Sequence, residues 1–413
     1  MMQELRLALR NAGTINPRSI DDYITAGGYK ALTKTHNTKQ SDLIDMLERS
    51  GRLRGRGGAA FNTGLKWSSA YQAAGTEKYI ICNADEGEPG TYKDRTILES
   101  DPHTVIEGLL IGAYAIGASN AYIYCRGEYR EVIRLLEDAV SQTKQMGYCD
   151  NVTIQIAYGA GSYVCGEETA LIESLEGNRG EPRLKPPFPT IAGFRGKPTV
   201  VNNVETFAVV PLIVEQGAEW FQSIGAPDYP GTKVFSLSGD INNKGCFEAP
   251  TNITLHDIVY GFGGGISEGH RLKAVQLGGS SCGFLTPDML DLPVDVESLR
   301  SIGSALGSGA VLVIDDTHNI VDILVGIAEF FVHESCGKCV PCREGTLRVM
   351  QLLKQLAAGQ ASISVQDQLR DLSDYMSMSC FCPLGQSATT ALCSALDLFK
   401  EDFSVKLHGQ EVH

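Results

Sequence analysis

Three thiols at three-residue steps, Cys336, Cys339 and Cys342 in the run Glu334-Ser335-Cys336-Gly337-Lys338-Cys339-Val340-Pro341-Cys342, are the residues of this chain best placed by spacing to do chemistry. Further on comes Cys382-Pro383-Leu384-Gly385. Thiolates spaced this way converge on one face of a cubane 4Fe-4S cluster, and a distant residue supplies the fourth corner. Zinc is the rival occupant, but structural zinc more often joins two Cys-x-x-Cys knuckles. The fourth ligand is either Cys380 or Cys382. Cys382 is preferred because it precedes a proline, as the last ligand of bacterial ferredoxin-type runs does. Cys380 is then an additional thiol near the cluster or a small buried residue. Cysteines 82, 125, 149, 165, 246, 282 and 393 lie mostly in apolar runs and read as core, with a place near a bound cofactor as the alternative for Cys165 beside Gly166-Glu167-Glu168, and His333 reads as a surface residue or a neighbour of the cluster rather than a ligand.

Three other segments could hold a nucleotide. The run Gly55-Arg56-Gly57-Gly58-Ala59-Ala60-Phe61 precedes a helix-like stretch containing Lys66 and Trp67, an arrangement whose backbone amides can cradle a phosphate. It lacks the Gly-x-Gly-x-x-Gly and Walker patterns, so a flexible surface loop is the alternative. Asn83-Ala84-Asp85-Glu86-Gly87-Glu88 follows an apolar strand; carboxylates at a strand end suit ribose hydroxyls and repel a 2′-phosphate, favouring NAD over NADP. A solvated acidic loop is the alternative there. Tyr163-Val164-Cys165-Gly166-Glu167-Glu168-Thr169 opens a helix that stops at Gly177, and its acidic residues could simply complement the helix dipole. Gly278-Gly279-Ser280-Ser281-Cys282-Gly283 reads as a tight β-turn rather than a phosphate loop.

These groups need a frame. Residues 79–82 read as a buried strand, Asp101-Pro102 with the apolar run 105–118 as a capped helix, 121–125 as a strand, 128–145 as a charged amphipathic helix, and 152–157 as a strand. Strands and helices alternating at this length favour a mostly parallel sheet covered on both faces, with ligands at the carboxyl ends of its strands. Residues 1–50 read as a helical lead-in with Leu43, Ile44 and Leu47 on a small apolar face. Short β-rich runs between about 231 and 316, with one helix near 255–260, predict a small α+β unit. Beyond 320 the apolar spacing is helical throughout, so a helical domain holds the cysteines.

Bulk properties narrow the function. A chain of 413 residues has room for two to four domains, and its 43 % hydrophobic content can give each a core. Twelve cysteines without an apolar signal core read as reduced thiols in the cytoplasm. The longest apolar run, 105–118, falls short of the roughly twenty residues that span a bilayer and is broken by Glu107. No membrane span is expected, only peripheral attachment to the cytoplasmic face of a membrane complex at most. A formal net charge of −14 argues against binding a nucleic-acid backbone.

In combination, the segments at 55–67 and 83–95, Gly166-Glu167-Glu168-Thr169, Leu184-Lys185-Pro186-Pro187-Phe188-Pro189, Val201-Asn202-Asn203-Val204-Glu205-Thr206 and the two cysteine elements resemble the NADH-binding FMN/4Fe-4S flavoprotein family. That family comprises complex I 51 kDa-type subunits and the diaphorase subunits of NAD-linked hydrogenases and formate dehydrogenases. The resemblance covers roughly residues 40 to 400. It implies an α/β fold: a Rossmann-like flavin and NADH domain (51–230) after the lead-in (1–50), a small ubiquitin-like, soluble-ligand-binding type α+β domain (231–316), and a C-terminal helical 4Fe-4S domain (317–413). It implies that Gly55, Arg56, Gly57, Gly58, Lys66, Asn83, Asp85, Gly166, Glu167, Asn202, Asn203 and Thr206 surround FMN. For NADH it implicates Phe61, Glu86, Glu88, Tyr163, Glu168, Lys185 and Phe188, and for the cluster Cys336, Cys339, Cys342 and Cys382. Hydride transfer then needs no protein acid or base, because the flavin supplies that chemistry. Two positions depart from the family pattern, Ala60 where glycine is usual and Asn62 where proline is usual, which implies a slightly displaced loop. The expected activity is NADH dehydrogenase, with electrons passed onward by the cluster. The expected partners are a separate 2Fe-2S thioredoxin-like subunit, a larger iron-sulfur subunit of hydrogenase, formate dehydrogenase or complex I type, and ferredoxin if the parent complex bifurcates electrons. A non-catalytic, zinc-stabilised scaffold with a degenerate nucleotide pocket is the alternative function.

Overall fold

The computed structural model describes residues 3–50 and 52–408. Gly51, the first residue of the expected flavin domain, and the outermost residues 1–2 and 409–413 lie outside the described residues. Four parallel strands, β1 (Tyr79–Ala84), β2 (Asn120–Arg126), β3 (Thr153–Gly159) and β4 (Thr199–Asn203), form a sheet in the order β3-β2-β1-β4. The chain moves outward from β1 through β2 to β3 and then returns to the opposite side of β1 to lay down β4. That reversal opens a crevice at the carboxyl ends of β1 and β4, where sheets of this kind bind ligands. Ile80, Ile81 and Cys82 of β1 are wholly buried, as a strand covered on both faces requires.

The helix Pro102–Ile116 follows its sequence signals: the Asp101 side chain accepts from the Thr104 N–H at 3.0 Å, proline opens the first turn, and Gly117 ends it at φ 75°. Gly108 lets it approach the helix Val204–Gln216, since a Cβ there would lie 2.0 Å from the Phe207 carbonyl oxygen. Glu107, the charge that breaks the apolar run, is only 1 % exposed. Its carboxylate accepts from the Tyr23 hydroxyl at 2.5 Å, the Tyr29 N–H at 2.9 Å and the Leu32 N–H at 3.0 Å. A buried carboxylate is tolerated when its oxygens are satisfied in this way. These bonds stitch the N-terminal helices to the sheet domain, and Leu7, Tyr23, Leu32, Leu43 and Leu47 share one core with Trp67 and Leu109.

After a short ribbon of β5 (Gly225–Ala226) and β6 (Tyr229–Pro230) comes a second sheet of β7 (Thr232–Gly239), β8 (Gly245–Pro250), β9 (Leu272–Leu277), β10 (Phe284–Leu285) and β11 (Ala310–Asp315). Its order is β10-β9-β11-β7-β8, with β7 and β11 parallel at the centre and antiparallel neighbours outside them. This mixed topology, with the first and last strands paired, is the ubiquitin-like arrangement. It has its own core around Phe235, Leu237, Val275 and Val311. The helix expected near 255–260 is a short π-helical turn, Asp257–Phe262.

The C-terminal region is helical: Ile320–Glu334, Val340–Ala357, Val365–Ser379, Pro383–Ser387, Thr390–Leu398 and Lys400–His408. Its core is continuous with one face of the first sheet, joining Leu324 and Leu353 to Tyr79, Ile81, Tyr124 and Val201. The cysteines lie at helix termini: Cys336 follows the Ser335 cap of the first helix, Cys339 precedes the second, which holds Cys342 in its first turn, and Cys382 precedes Pro383–Ser387. Among the described residues no helix is long and apolar enough to cross a membrane.

Candidate functional site

A cavity of about 830 Å³ opens at the carboxyl ends of β1 and β4. Gly55, Gly57, Gly58, Phe61, Lys66, Asn83, Asp85, Glu86, Glu88, Tyr163, Gly166, Glu167, Glu168, Lys185, Phe188, Asn202 and Asn203 all line it. Arg56 and Thr206 do not. The buried Arg56 guanidinium lies 4.2 Å over the Tyr229 ring and donates to the Pro230 carbonyl, while its backbone N–H donates to Thr206 Oγ1 at 2.9 Å. These two residues brace the glycine loop from behind. Ala60 stands at φ 51°, a backbone conformation glycine adopts freely, and Asn62 caps the helix Thr63–Gln72 by accepting from the Leu65 N–H at 3.0 Å.

The strand-end asparagines hold the surrounding loops. Asn83 and Asn203 pair in register across β1 and β4. Asn83 donates to the Gly166 carbonyl at 2.9 Å and accepts from the Asp85 N–H at 3.0 Å. Asn203 caps the next helix at the Glu205 N–H (3.1 Å) and donates to Asp94 at 2.7 Å, and Trp67 donates to Asn202 at 2.8 Å.

Several charges in the wall are paired. Glu167 caps the helix Glu168–Leu175 through the N–H groups of Thr169 and Ala170, at 2.9 and 3.0 Å. Lys185 bridges Glu167 at 2.7 Å and Glu168 at 3.1 Å, and Lys66 donates to Glu168 at 2.7 Å. Burial opposes the Glu168 charge, but the two ammonium groups together outweigh it and hold its carboxyl below the usual range. Burial pushes Asp85 and Glu86 up to about 7. The Glu86 carboxylate caps the helix Lys93–Ser100, accepting from the Asp94 and Arg95 N–H groups at 2.8 and 3.1 Å. Glu88 accepts from the Tyr163 hydroxyl and from the Ser280 N–H, both at 2.6 Å.

Several lining residues escape sequence reasoning: Thr63, Thr91, Lys93, Asp94, Gly278, Ser281, Cys282, Gly307, Ser308 and Leu384. Lys93 and Asp94 lie within the segment 83–95 and could have been found by its charge density. Lys93 is 1 % exposed and donates to Asp94 at 2.6 Å, with Glu205 at 3.0 Å; burial opposes its charge, but these carboxylates hold its pKa well above the ordinary value. The 278–282 turn is indeed tight, with the Cys282 N–H donating to the Gly279 carbonyl at 3.0 Å, yet it faces the cavity. No local pattern marks that placement.

Flavin mononucleotide fits this wall. The volume lies within the ordinary range of ligand sites, and Asp85 Oδ2 and Thr63 Oγ1 are buried with no hydrogen-bond partner in the protein. Each such atom costs about 1–3 kcal/mol unless a ligand satisfies it, and a ribityl chain and phosphate carry suitable partners.

Beside this cavity a pocket of about 10 Å³ is lined by Cys336, Cys339, Cys342 and Cys382, with Ser335, Lys338, Phe381, Pro182, Val164 and Leu384. Cys380 does not line it, although its thiol reaches Cys339; burial raises Cys380 to about 12 and Cys342 to about 11. Burial also raises Cys382, against the pull of the Gly385 and Leu384 N–H groups at the start of a helix. A metal reverses such shifts by taking the thiolate directly. Val164 and Leu384 line both spaces.

Comparison with known proteins agrees with this arrangement. Residues 49–212 match the Nuo51 FMN-binding domain, and residues 322–406 match the NADH-ubiquinone oxidoreductase-F iron-sulfur binding region. The chain is 44 % identical over 99 % of its length to the HndC subunit of the NADP-reducing hydrogenase of Solidesulfovibrio fructosivorans, covering 85 % of that protein. It is 46 % identical over 96 % of its length to the F 2 subunit of the NADH-quinone oxidoreductase of Rhizobium meliloti, covering 96 % of it. A chain of a solved NAD+-reducing NiFe hydrogenase in the H2-reduced state is 38 % identical, with a TM-score of 0.87 over 93 % of this chain; the present chain spans 66 % of that one. The chain belongs to the NADH-binding flavoprotein family that includes the F subunits of NADH-quinone oxidoreductases, and it is an NADH dehydrogenase with FMN and a 4Fe-4S cluster as its cofactors.

Proposed function

We propose that this chain is the diaphorase subunit of a multisubunit oxidoreductase, exchanging hydride reversibly between NADH and FMN and passing single electrons through the cluster to a partner. The observation that carries this reading is the shared wall: Val164 and Leu384 touch both the cavity and the cysteine pocket, so one layer of apolar side chains separates the two centres. Bound FMN supplies hydride acceptance and the conversion of an electron pair into single electrons.

The protein's part is placement. Gly55, Gly57, Gly58, Lys66, Asn83, Asp85, Gly166, Glu167, Asn202 and Asn203 surround the flavin, with Arg56 and Thr206 bracing the glycine loop. Phe61 and Phe188, each 56 % exposed at the mouth, receive the adenine, while Glu86, Glu88, Tyr163, Glu168 and Lys185 form the nucleotide side. Cys336, Cys339, Cys342 and Cys382 hold the cluster. The cavity wall carries Asp85, Glu86, Glu88, Asp94, Glu167 and Glu168 against Lys66, Lys93 and Lys185, an acidic balance that disfavours a 2′-phosphate and supports NAD over NADP.

A cytoplasmic location follows, with peripheral docking on a membrane complex where the parent enzyme has one. A separate thioredoxin-like 2Fe-2S subunit and a larger iron-sulfur subunit of hydrogenase, formate dehydrogenase or complex I type complete the electron path, and ferredoxin joins if the complex bifurcates.

The test is anaerobic addition of NADH to the chain supplied with FMN, iron and sulfide. Flavin bleaching by NADH but not NADPH, followed by the paramagnetic signal of a reduced cluster, is expected. Zinc in place of iron, or a flavin left oxidised by NADH both in the isolated chain and in the assembled complex, would overturn the proposal.

A further inference from the structure

We propose that Ser335 sets the reduction potential of the cluster by donating a hydrogen bond from its hydroxyl to the thiolate of Cys342. The inference rests on the reading of Cys342 as a cluster ligand and adds to it a residue that is not itself a ligand.

Ser335 ends the helix Ile320–Glu334, and its N–H donates to the Phe331 carbonyl at 3.1 Å, so its backbone is fixed by the helix before it. Its Oγ lies 3.2 Å from Cys342 Sγ. Between a hydroxyl and a free thiol either atom could donate. Once Cys342 is a metal-bound thiolate its sulfur has no proton, and only the hydroxyl can. The Gly337 N–H donates to Ser335 Oγ at 3.3 Å, occupying one oxygen lone pair and orienting the hydroxyl. Ser335 also lines the cysteine pocket directly.

A second ligand is served differently: at Cys382, which precedes the helix Pro383–Ser387, the backbone N–H groups of Leu384 and Gly385 favour the thiolate. Those amides belong to the main chain and persist through side-chain substitution. Ser335 is therefore a position at which the hydrogen bonding of a ligand sulfur is set by a replaceable side chain, as Cys380 is toward Cys339.

The electrical consequence follows from charge. Reduction adds one electron, supplied by the reduced flavin, to an iron-sulfur centre whose thiolates share the added negative charge. No proton is transferred, and the hydroxyl keeps its own. A donor aimed at thiolate sulfur stabilises the more negative, reduced state more than the oxidised one, and so raises the potential. The same bond favours uptake of an electron from the flavin over its return.

The test is redox titration of the cluster by electron paramagnetic resonance in the assembled complex, comparing wild type with Ser335→Ala and Ser335→Thr. Ser335→Ala should lower the midpoint potential while iron and sulfide content stay at wild-type levels, and Ser335→Thr, which keeps the hydroxyl, should restore it. An unchanged midpoint in Ser335→Ala, or an equal drop in both variants, overturns the proposal. If Ser335→Ala fails to hold a cluster, Cys380→Ala, which lacks the thiol proton beside Cys339, decides: brief transfer to D2O should remove one proton coupling to the reduced cluster, because a hydroxyl exchanges at once and the buried amides of residues 384 and 385 slowly. Retention of every coupling overturns the proposal. Absence of a cluster from the wild-type complex would instead refute the underlying ligand assignment.

Discussion

Four cysteines from two short segments enclose a pocket of about 10 Å³ in the helical region, whereas the adjoining cavity of about 830 Å³ takes its wall from segments spread between Gly55 and Ser387. The first site depends on a few atoms that nothing else can replace. The second is redundant: glycine loop, strand-end asparagines, capping carboxylates and the ubiquitin-like turn each contribute part of a surface. A ligand set should therefore fail completely at one substitution, while a cavity should weaken by degrees.

The largest effect expected is at the cluster. Cys382→Ser abolishes the cluster signal and lowers the iron and sulfide content, while Cys380→Ser leaves both in place; the reverse pattern would move the fourth ligand to Cys380. Beneath the cavity, Glu205 is 1 % exposed and pairs with Lys233 at 2.5 Å and Lys93 at 3.0 Å. Glu205→Ala leaves two buried ammonium groups without this partner and should destabilise the chain by about 3–5 kcal/mol, read from the denaturant midpoint. Such a loss would make the cavity's foundation as brittle as the cluster site and blur the contrast.

Asp85 sharpens it through pH. Its ordinary value is 3.8 and burial raises it to about 7, so between these values the folded state keeps a proton that the unfolded state has released. Stability of the flavin-free chain therefore falls as pH rises through that window, by roughly 4 kcal/mol from this group, and levels off above it. Glu86 adds a contribution of the same sign. Asp85→Asn should remove its share, checked by urea midpoints at pH 5 and pH 8; an unchanged slope would show that Asp85 is solvated. The smallest effect is at the rim. Phe61→Ala should raise the KM for NADH about fivefold with little change in kcat, as expected for loss of one stacking contact worth about 1 kcal/mol.

Much of this was legible in the sequence wherever the determinant is local. The Asp101-Pro102 start of a helix, the apolar run of β1, and the three-residue steps from Cys336 to Cys342 each act over a few residues: the helix begins at Pro102, the run forms a buried strand, and the three thiols line one pocket. Charge density also marked the segment from Asn83 to Arg95, although it did not reveal that the Glu86 carboxylate caps a helix or that Lys93 reaches the cavity.

By itself, then, the sequence determined the alternation of strands and helices, the chemistry of the thiol run and the family, because backbone hydrogen bonding and covalent spacing impose these over short distances. Tertiary structure alone decided that Arg56 and Thr206 stand behind the glycine loop, that the turn at 278–282 of the ubiquitin-like unit reaches Glu88, and that Val164 and Leu384 form the wall common to both centres. Those contacts join residues far apart in the chain. Their positions follow from how separate apolar cores pack against each other, which no local pattern of residue types records.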